Sequence, residues 1–403
     1  MYSDMFEKLT PGVTVADVHL DSSVPPPVVG VSSASDAGTI DNDCNSGEAP
    51  PAQSLYQPNY VVLIDHRHRD IVVCIRGSIN VADVLTDLVC ESVKVEGLFN
   101  SNGLISHSPP SFDQYKPLVG ESLGSIADPT VYAHSGMFYA ALNLDRLLRS
   151  DVAALLSKPE HAGYGVLVSG HSLGAGVAAL LTLLWLPVFP TTAVHCVAYS
   201  PPCILSVGAA KHPRVVSAIT SVVISDDVVA RLSLGSCLDL RDSLLRLHES
   251  ESGSGGSSTS TANTCDNITD GNVQTMKDMR ENVPKYHKLY PPGQIIHIVD
   301  RSIWDMHVAN GGSNANTMPA TNSNSSSGSS SGTKPPTPPS MHYHDCCTGE
   351  YKSLPVITMS SKHVAYYADQ LTFQEMVLSS TMLSDHMPHY CLKLCKDVFK
   401  QKK

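Results

Sequence analysis

The sequence predicts an α/β fold, a mostly parallel central sheet with flanking helices, and three observations predict it. Short apolar runs alternate with helical patterns as far as Asp227, the rhythm of strands joined by crossover helices. The stretch Gly165-Val166-Leu167-Val168-Ser169-Gly170-His171-Ser172-Leu173-Gly174-Ala175-Gly176 reads as a buried strand, a tight turn bearing one serine, and a helix. Far along the chain, beyond a Ser/Gly/Thr-rich run, Gln294-Ile295-Ile296-His297-Ile298-Val299 is a further clean strand.

Composition narrows the possibilities. A chain of 403 residues with 42% apolar content can bury a sizeable core. Its net charge of −11 and lack of a basic stripe argue against a nucleic-acid partner, and any contact with lipid is expected to be mainly apolar. The 11 cysteines are odd in number and lack the spacing of a zinc site. Cys74 and Cys196 lie inside apolar runs, where a cysteine acts as a small hydrophobe. The N-terminus carries no charged-then-apolar leader, which makes a reduced, cytoplasmic setting the expectation. The longest apolar run, Val177 to Phe189, is about 13 residues against about 20 for a membrane span, so no transmembrane helix is expected.

Taken in order, residues 1–58 are Pro/Ser/Asp-rich and read as a flexible N-terminal extension, with the folded domain over residues 59–403. Tyr60 to Asp65 and Ile71 to Ile75 are strands joined by the polar turn His66 to Asp70. Asn80 is a good helix cap, followed by the apolar face Val81, Val84, Leu85 and Leu88. Residues 90–130 read as a long irregular loop with exposed-looking Leu98, Phe99, Leu104 and Ile105, a length that is usually functional. A helix is expected over Phe138 to Leu156, with Leu142, Leu144, Leu147, Leu148 and Leu155 on its buried side. Thr192 to Ser200 and Ser217 to Ser225 are buried strands, the second ending in Asp226-Asp227. Residues 249–268 and 309–340 are low-complexity insertions that cannot bury enough apolar surface to order themselves. Leu371 to His386 and a Lys-rich helix from Tyr390 return to the core.

The serine turn has the Gly-x-Ser-x-Gly form of a nucleophile elbow, the strained strand-to-helix turn of α/β-hydrolases. The pattern occurs at Ser122, Ser172 and Ser330, but only Ser172 follows an apolar strand and opens a helix. Gly170 and Gly174 flank it because a side chain at either place would crowd the adjoining strand or helix. Serine needs a base to take its proton, and the base needs an acid to fix its tautomer. In this fold the chain order is serine, acid, histidine. Asp226 and Asp227 are the carboxylates at the end of a later strand, and His386 and His389, with His363 behind them, are the late histidines. His171 reads as a packing residue. The oxyanion donors are expected from Leu173, which follows the nucleophile, and from Ser78, after the second strand.

Separated motifs in a fixed order carry a resemblance. Ile75-Arg76-Gly77-Ser78, Thr86-Asp87-Leu88, His134-Ser135-Gly136-Met137 and Gly170-His171-Ser172-Leu173-Gly174 resemble the fungal-type (class 3) lipases. Ala198-Tyr199-Ser200-Pro201-Pro202, Tyr290-Pro291-Pro292-Gly293 and Met382-Leu383-Ser384-Asp385-His386-Met387-Pro388 are most similar to the sn-1-specific diacylglycerol lipases. The resemblance implies Asp227 as the acid, with Ala230 where the family has proline, and His386 as the base. Animal members carry transmembrane helices ahead of the catalytic domain; no stretch here reads as one. A calcium response is implied by the resemblance alone. No EF-hand loop is present, and no metal or cofactor site is expected, the run His342 to Cys347 included.

The expectation is therefore a serine lipase. Its substrate would be a glycerolipid, most simply diacylglycerol, met at a membrane or lipid-droplet surface by a cytoplasmic, peripherally associated protein. The loop over residues 90–130 would serve as its lid or as part of its lipid-facing mouth. The alternatives are a broader triacylglycerol lipase or phospholipase A1, or an inactive scaffold that binds lipid or a partner.

Overall fold

The computed structural model describes residues 13–19, 58–77, 91–99, 106–107, 131–253, 286–309, 341–345, 350–354 and 356–399. The expected helix after Asn80, Ser78, Ser122, Ser330, and most of both low-complexity insertions lie outside these residues.

The centre is a nine-stranded sheet. In chain order its strands are β1 (Val13–His19), β2 (Tyr60–Asp65), β3 (Asp70–Ile75), β7 (Gly165–His171), β8 (Val194–Tyr199), β9 (Ile219–Ile224), β10 (Gln294–Asp300), β13 (Val356–Met359) and β14 (His363–Ala368). Spatial order is β1-β2-β3-β7-β8-β9-β10-β14-β13. Strands β3, β7, β8, β9 and β10 run parallel, and an antiparallel pair closes each edge. This is the expected α/β-hydrolase architecture. Two smaller sheets stand apart: β4 (Ser92–Glu96) between β5 (Ser106–His107) and β6 (Val131–His134), and the hairpin β11 (Met341–Asp345) with β12 (Glu350–Leu354).

Helix α1 (Ser135–Leu156) begins at His134, whose ring accepts from the Met137 N–H. Its buried face is Met137, Ala141, Leu144, Leu148 and Val152, at helical spacing. Leu147, expected on that face, points to solvent, because the stripe passes through positions 144 and 148 on either side of it. Helix α2 (Leu173–Trp185) is buried at every residue. Its small first turns, Gly174 to Ala179, let it lie against the strands beneath. The Trp185 indole N–H donates to Asp145 of α1 at 2.8 Å and ties the two helices together. Later come α3 (Leu234–Gly253), α4 (Arg301–Ala309) and α5 (Pro388–Val398). No helix among the described residues is long and apolar enough to cross a membrane.

Two expectations need correction. Part of the extension expected to be loose, Val13–His19, is the edge strand β1, paired antiparallel to β2. Its alternating Val13 and Val15 carry the strand pattern, and a bulge after Val15 breaks it. The supposedly irregular stretch after Cys90 contains β4 and β5, with Leu98 buried in the main core and Phe99 stacked on His212 at 3.9 Å between ring centroids. Leu98 is therefore covered rather than offered to a ligand, while Phe99 is half-buried against His212. Beyond these, β13 and β14 form an edge hairpin, with the apolar Val356, Ile357, Val364 and Ala365 supplying its strand pattern.

Candidate active site

The site lies at the carboxyl ends of β7 and β9. Gly170 passes so close to Gly174 and the Ala175 nitrogen that no side chain fits there. Gly174 passes equally close to the Ile75 carbonyl and Arg76. These approaches force the turn between strand and helix, and Ser172 takes up the strain with φ 59° and ψ −130°. Its N–H is held by the Tyr199 carbonyl at 3.0 Å.

The Ser172 hydroxyl donates to His386 Nε2 at 2.8 Å. His386 Nδ1–H donates to the Asp227 carboxylate, at 3.0 Å to Oδ1 and 3.2 Å to Oδ2. Asp227 also accepts the Val229 N–H at 2.9 Å. Ser172, Asp227 and His386 are all buried. The carboxylate fixes the proton on Nδ1, which leaves Nε2 as the acceptor facing the serine, the tautomer that a general base requires.

The other candidates are placed elsewhere. Asp226 is half-buried and meets the histidine loop through its main-chain N–H, which the Asp385 carboxylate accepts at 3.2 Å. His389 is exposed in the first turn of α5, and His363 opens β14. Leu173 is the first residue of α2, so its N–H has no acceptor within the helix and faces the turn. Gly77 lies against the His171 carbonyl too closely for any side chain, which brings the end of β3 to the elbow. The next residue, Ser78, is outside the described residues.

Two contacts were missed in the sequence. His171 Nε2–H donates to the His386 carbonyl at 2.8 Å, and its ring lies 4.9 Å from that of His386. Burial, then the nearby His386, pushes the His171 imidazole down to about 4. Behind the acid, buried His297 donates from Nε2 to the Ser225 carbonyl at 2.8 Å and accepts the Tyr366 hydroxyl at 2.7 Å. Burial lowers it to about 4 as well. The sequence signal for His297 was a lone histidine in the centre of an apolar strand. No group of residues able to hold a metal ion occurs among the described residues.

Residues 72–236 match the family described as lipase (class 3). The chain is 25% identical over 361 residues to diacylglycerol lipase-alpha of Homo sapiens, covering 84% of this chain and 27% of that protein. It is 30% identical over 194 residues to diacylglycerol lipase-beta of Mus musculus, covering 48% of this chain and 24% of that protein. The chain thus spans about a quarter of the length of these curated relatives. A solved lipase from Rhizopus microsporus var. chinensis aligns with a TM-score of 0.34 and 14% identity, over 56% of this chain and 58% of that one.

Proposed function

We propose that this chain, whose residues 72–236 match the class 3 lipase family, is a serine lipase that hydrolyses diacylglycerol to monoacylglycerol and a free fatty acid. The observation that carries the reading is the continuous hydrogen-bonded array Ser172, His386 and Asp227 on a strained turn. The likeness to two diacylglycerol lipases supports the substrate.

In this reading Ser172 Oγ attacks the ester carbonyl carbon while His386 Nε2 takes its proton. Asp227 orients the ring and stabilises the imidazolium. The negative charge that develops on the carbonyl oxygen is met by the Leu173 N–H and by donors from Ser78. The tetrahedral intermediate collapses, the glycerol oxygen leaves with the proton from His386, and an acyl-serine remains. Water then attacks the acyl carbon, gives its proton to His386, and the fatty acid departs as the Ser172 hydroxyl is restored. No metal takes part in this scheme. Its substrate would be met at a membrane or lipid-droplet surface, with the protein cytoplasmic and peripherally bound.

The test has two parts. A fluorophosphonate probe should label Ser172 and fail on Ser172→Ala; no labelling means an inactive scaffold. Purified protein should then release fatty acid from dispersed diacylglycerol faster than from triacylglycerol or phospholipid. Preference for either of the latter would overturn the substrate while leaving the chemistry standing.

A further inference from the structure

Resting on the lipase reading, we propose that His171 and Asp385 are positioning residues that clamp the His386 loop between the nucleophile turn and the acid turn. His386 reaches the site from 214 positions beyond Ser172. A side chain brought from so far needs its main chain fixed before its ring can be aimed.

The loop is held on two sides. On the serine side, His171 donates to the His386 carbonyl at 2.8 Å. A carbonyl only accepts, so the proton sits on His171 Nε2. His171 is the last residue of β7 and directly precedes Ser172, so nucleophile and clamp move together. On the acid side, the buried Asp385 carboxylate accepts the Asp226 N–H at 3.2 Å. Asp226 directly precedes Asp227. The Met382 carbonyl, accepting from Val228 N–H at 3.3 Å, adds a second stitch there.

Ser172, His386 and Asp227 are thus linked twice, once through their side chains and once through the residues just before them. The two links behave differently during turnover. When Ser172 Oγ attacks, its hydrogen bond to His386 is lost as the proton transfers. The neighbouring bonds form no part of the chemistry and persist. They keep the imidazole in register at the moment when the reacting bond cannot. Burial keeps His171 uncharged, so no second cation faces His386 once that ring is protonated.

The experiment uses the full 403-residue chain, with p-nitrophenyl butyrate as a soluble ester. His171→Phe keeps the ring and loses the donor; His171→Gln places an amide N–H where Nε2 was. Asp385→Leu loses the acceptor; Asp385→Asn keeps one. Misalignment by about an ångström costs on the order of 100-fold, so the Phe and Leu variants should lose roughly 10- to 100-fold in kcat with KM within about twofold. The Gln and Asn variants should recover to within about fivefold of the parent. His171→Asn, polar but too short to reach, decides the same point if the Phe variant does not fold, and should match the expected loss. Retention of parental kcat in the Phe and Leu variants, or equal losses for Phe and Gln, would overturn the clamp. Ser172→Ala separates the two readings: activity surviving there sinks the lipase reading, whereas an inert Ser172→Ala beside a fully active His171→Phe sinks the clamp alone.

Discussion

Ser172 and Ser225 each follow a parallel strand of one sheet with positive φ, +59° and +39°, yet their turns are held by different means. The nucleophile turn is shaped by close backbone approaches at Gly170 and Gly174, against neighbours supplied by its own helix and the end of β3. The acid turn has no glycine. Its Ser225 N–H is taken by the Ile298 carbonyl at 2.8 Å and its carbonyl by His297, while Asp226 is met by Asp385. All three partners lie far along the chain. A turn made by backbone crowding must display glycines, so it announces itself locally. A turn held by distant hydrogen-bond partners leaves no local mark.

The widest test of that contrast is at the histidine loop, which touches both turns. On the catalytic reading, His386→Ala should lower kcat on the order of 10⁴-fold or more, and Asp227→Asn by a comparable factor. His389→Ala and Asp226→Asn should cost about tenfold or less. Circular dichroism should be unchanged in all four. A dead His389→Ala beside an active His386→Ala would place the wrong ring opposite Ser172.

That contrast also explains what could be read beforehand. Strand β7, the elbow and α2 were legible because 165–185 is one uninterrupted strand-turn-helix pattern. The choice of Asp227 over Asp226, and of His386 over His389, was not legible from spacing; the resemblance decided both. Two adjacent carboxylates look alike until the fold buries Asp227 against His386 and leaves Asp226 half-buried. His171 was misread as mere packing because its partner is a main-chain carbonyl 215 positions away. Leu98 was misread because the strand it follows, Ser92–Glu96, is short and joins the main core without a long apolar run.

Acid should weaken the fold through two histidines, one beside each turn. Both His171 and His297 are pushed down to about 4 by burial, while an unfolded chain protonates histidine near pH 6.5. Between those values the unfolded state binds more protons, so stability falls as pH falls from about 6.5 to about 4. Below that window the loss is complete. Each histidine contributes a slope of about 1.4 kcal/mol per pH unit. Burial raises the carboxyls of Asp70 and Asp385, which act in the opposite sense and soften the total. Urea unfolding across the window measures it. His297→Gln, which can keep a donor toward Ser225 and an acceptor for Tyr366, should remove about half of the histidine slope. An unaltered slope would contradict a buried neutral His297.

A smaller effect separates covered apolar groups from lipid-facing ones. Leu98 is 4% exposed within the main core. Leu98→Ser should therefore cost about 3 kcal/mol of stability, the usual scale for deleting a buried leucine side chain and inserting a hydroxyl. Its specific activity, measured well below the melting temperature, should fall equally on dispersed lipid and on a soluble ester. Selective loss on dispersed lipid without loss of stability would restore Leu98 to the lid expected from sequence.

The smallest effect tests whether backbone strain alone unites the strand ends. Between the two turns, β8 ends in Ser200, whose φ is +48°. Ser200 is fully buried, its N–H is satisfied by the Val222 carbonyl at 2.8 Å, and its hydroxyl has no hydrogen-bond partner among the described residues. It has the strain of its neighbours without a catalytic side chain. Glycine occupies positive φ without the Cβ conflict, a relief of about 1 to 2 kcal/mol, and loses part of that through the greater freedom of the unfolded chain. Ser200→Gly should therefore raise stability by about 1 kcal/mol, with kcat unchanged. Ser225→Gly relieves the same kind of strain but frees the turn that aims Asp227, so a similar gain in stability should come with a loss of about threefold in kcat. Thermal melts and ester kinetics on the pair decide it. If Ser200→Gly loses activity as Ser225→Gly does, strain at β8 serves the site directly; if neither gains stability, the positive φ values are held at no cost and the kinship among the three serines is only geometric.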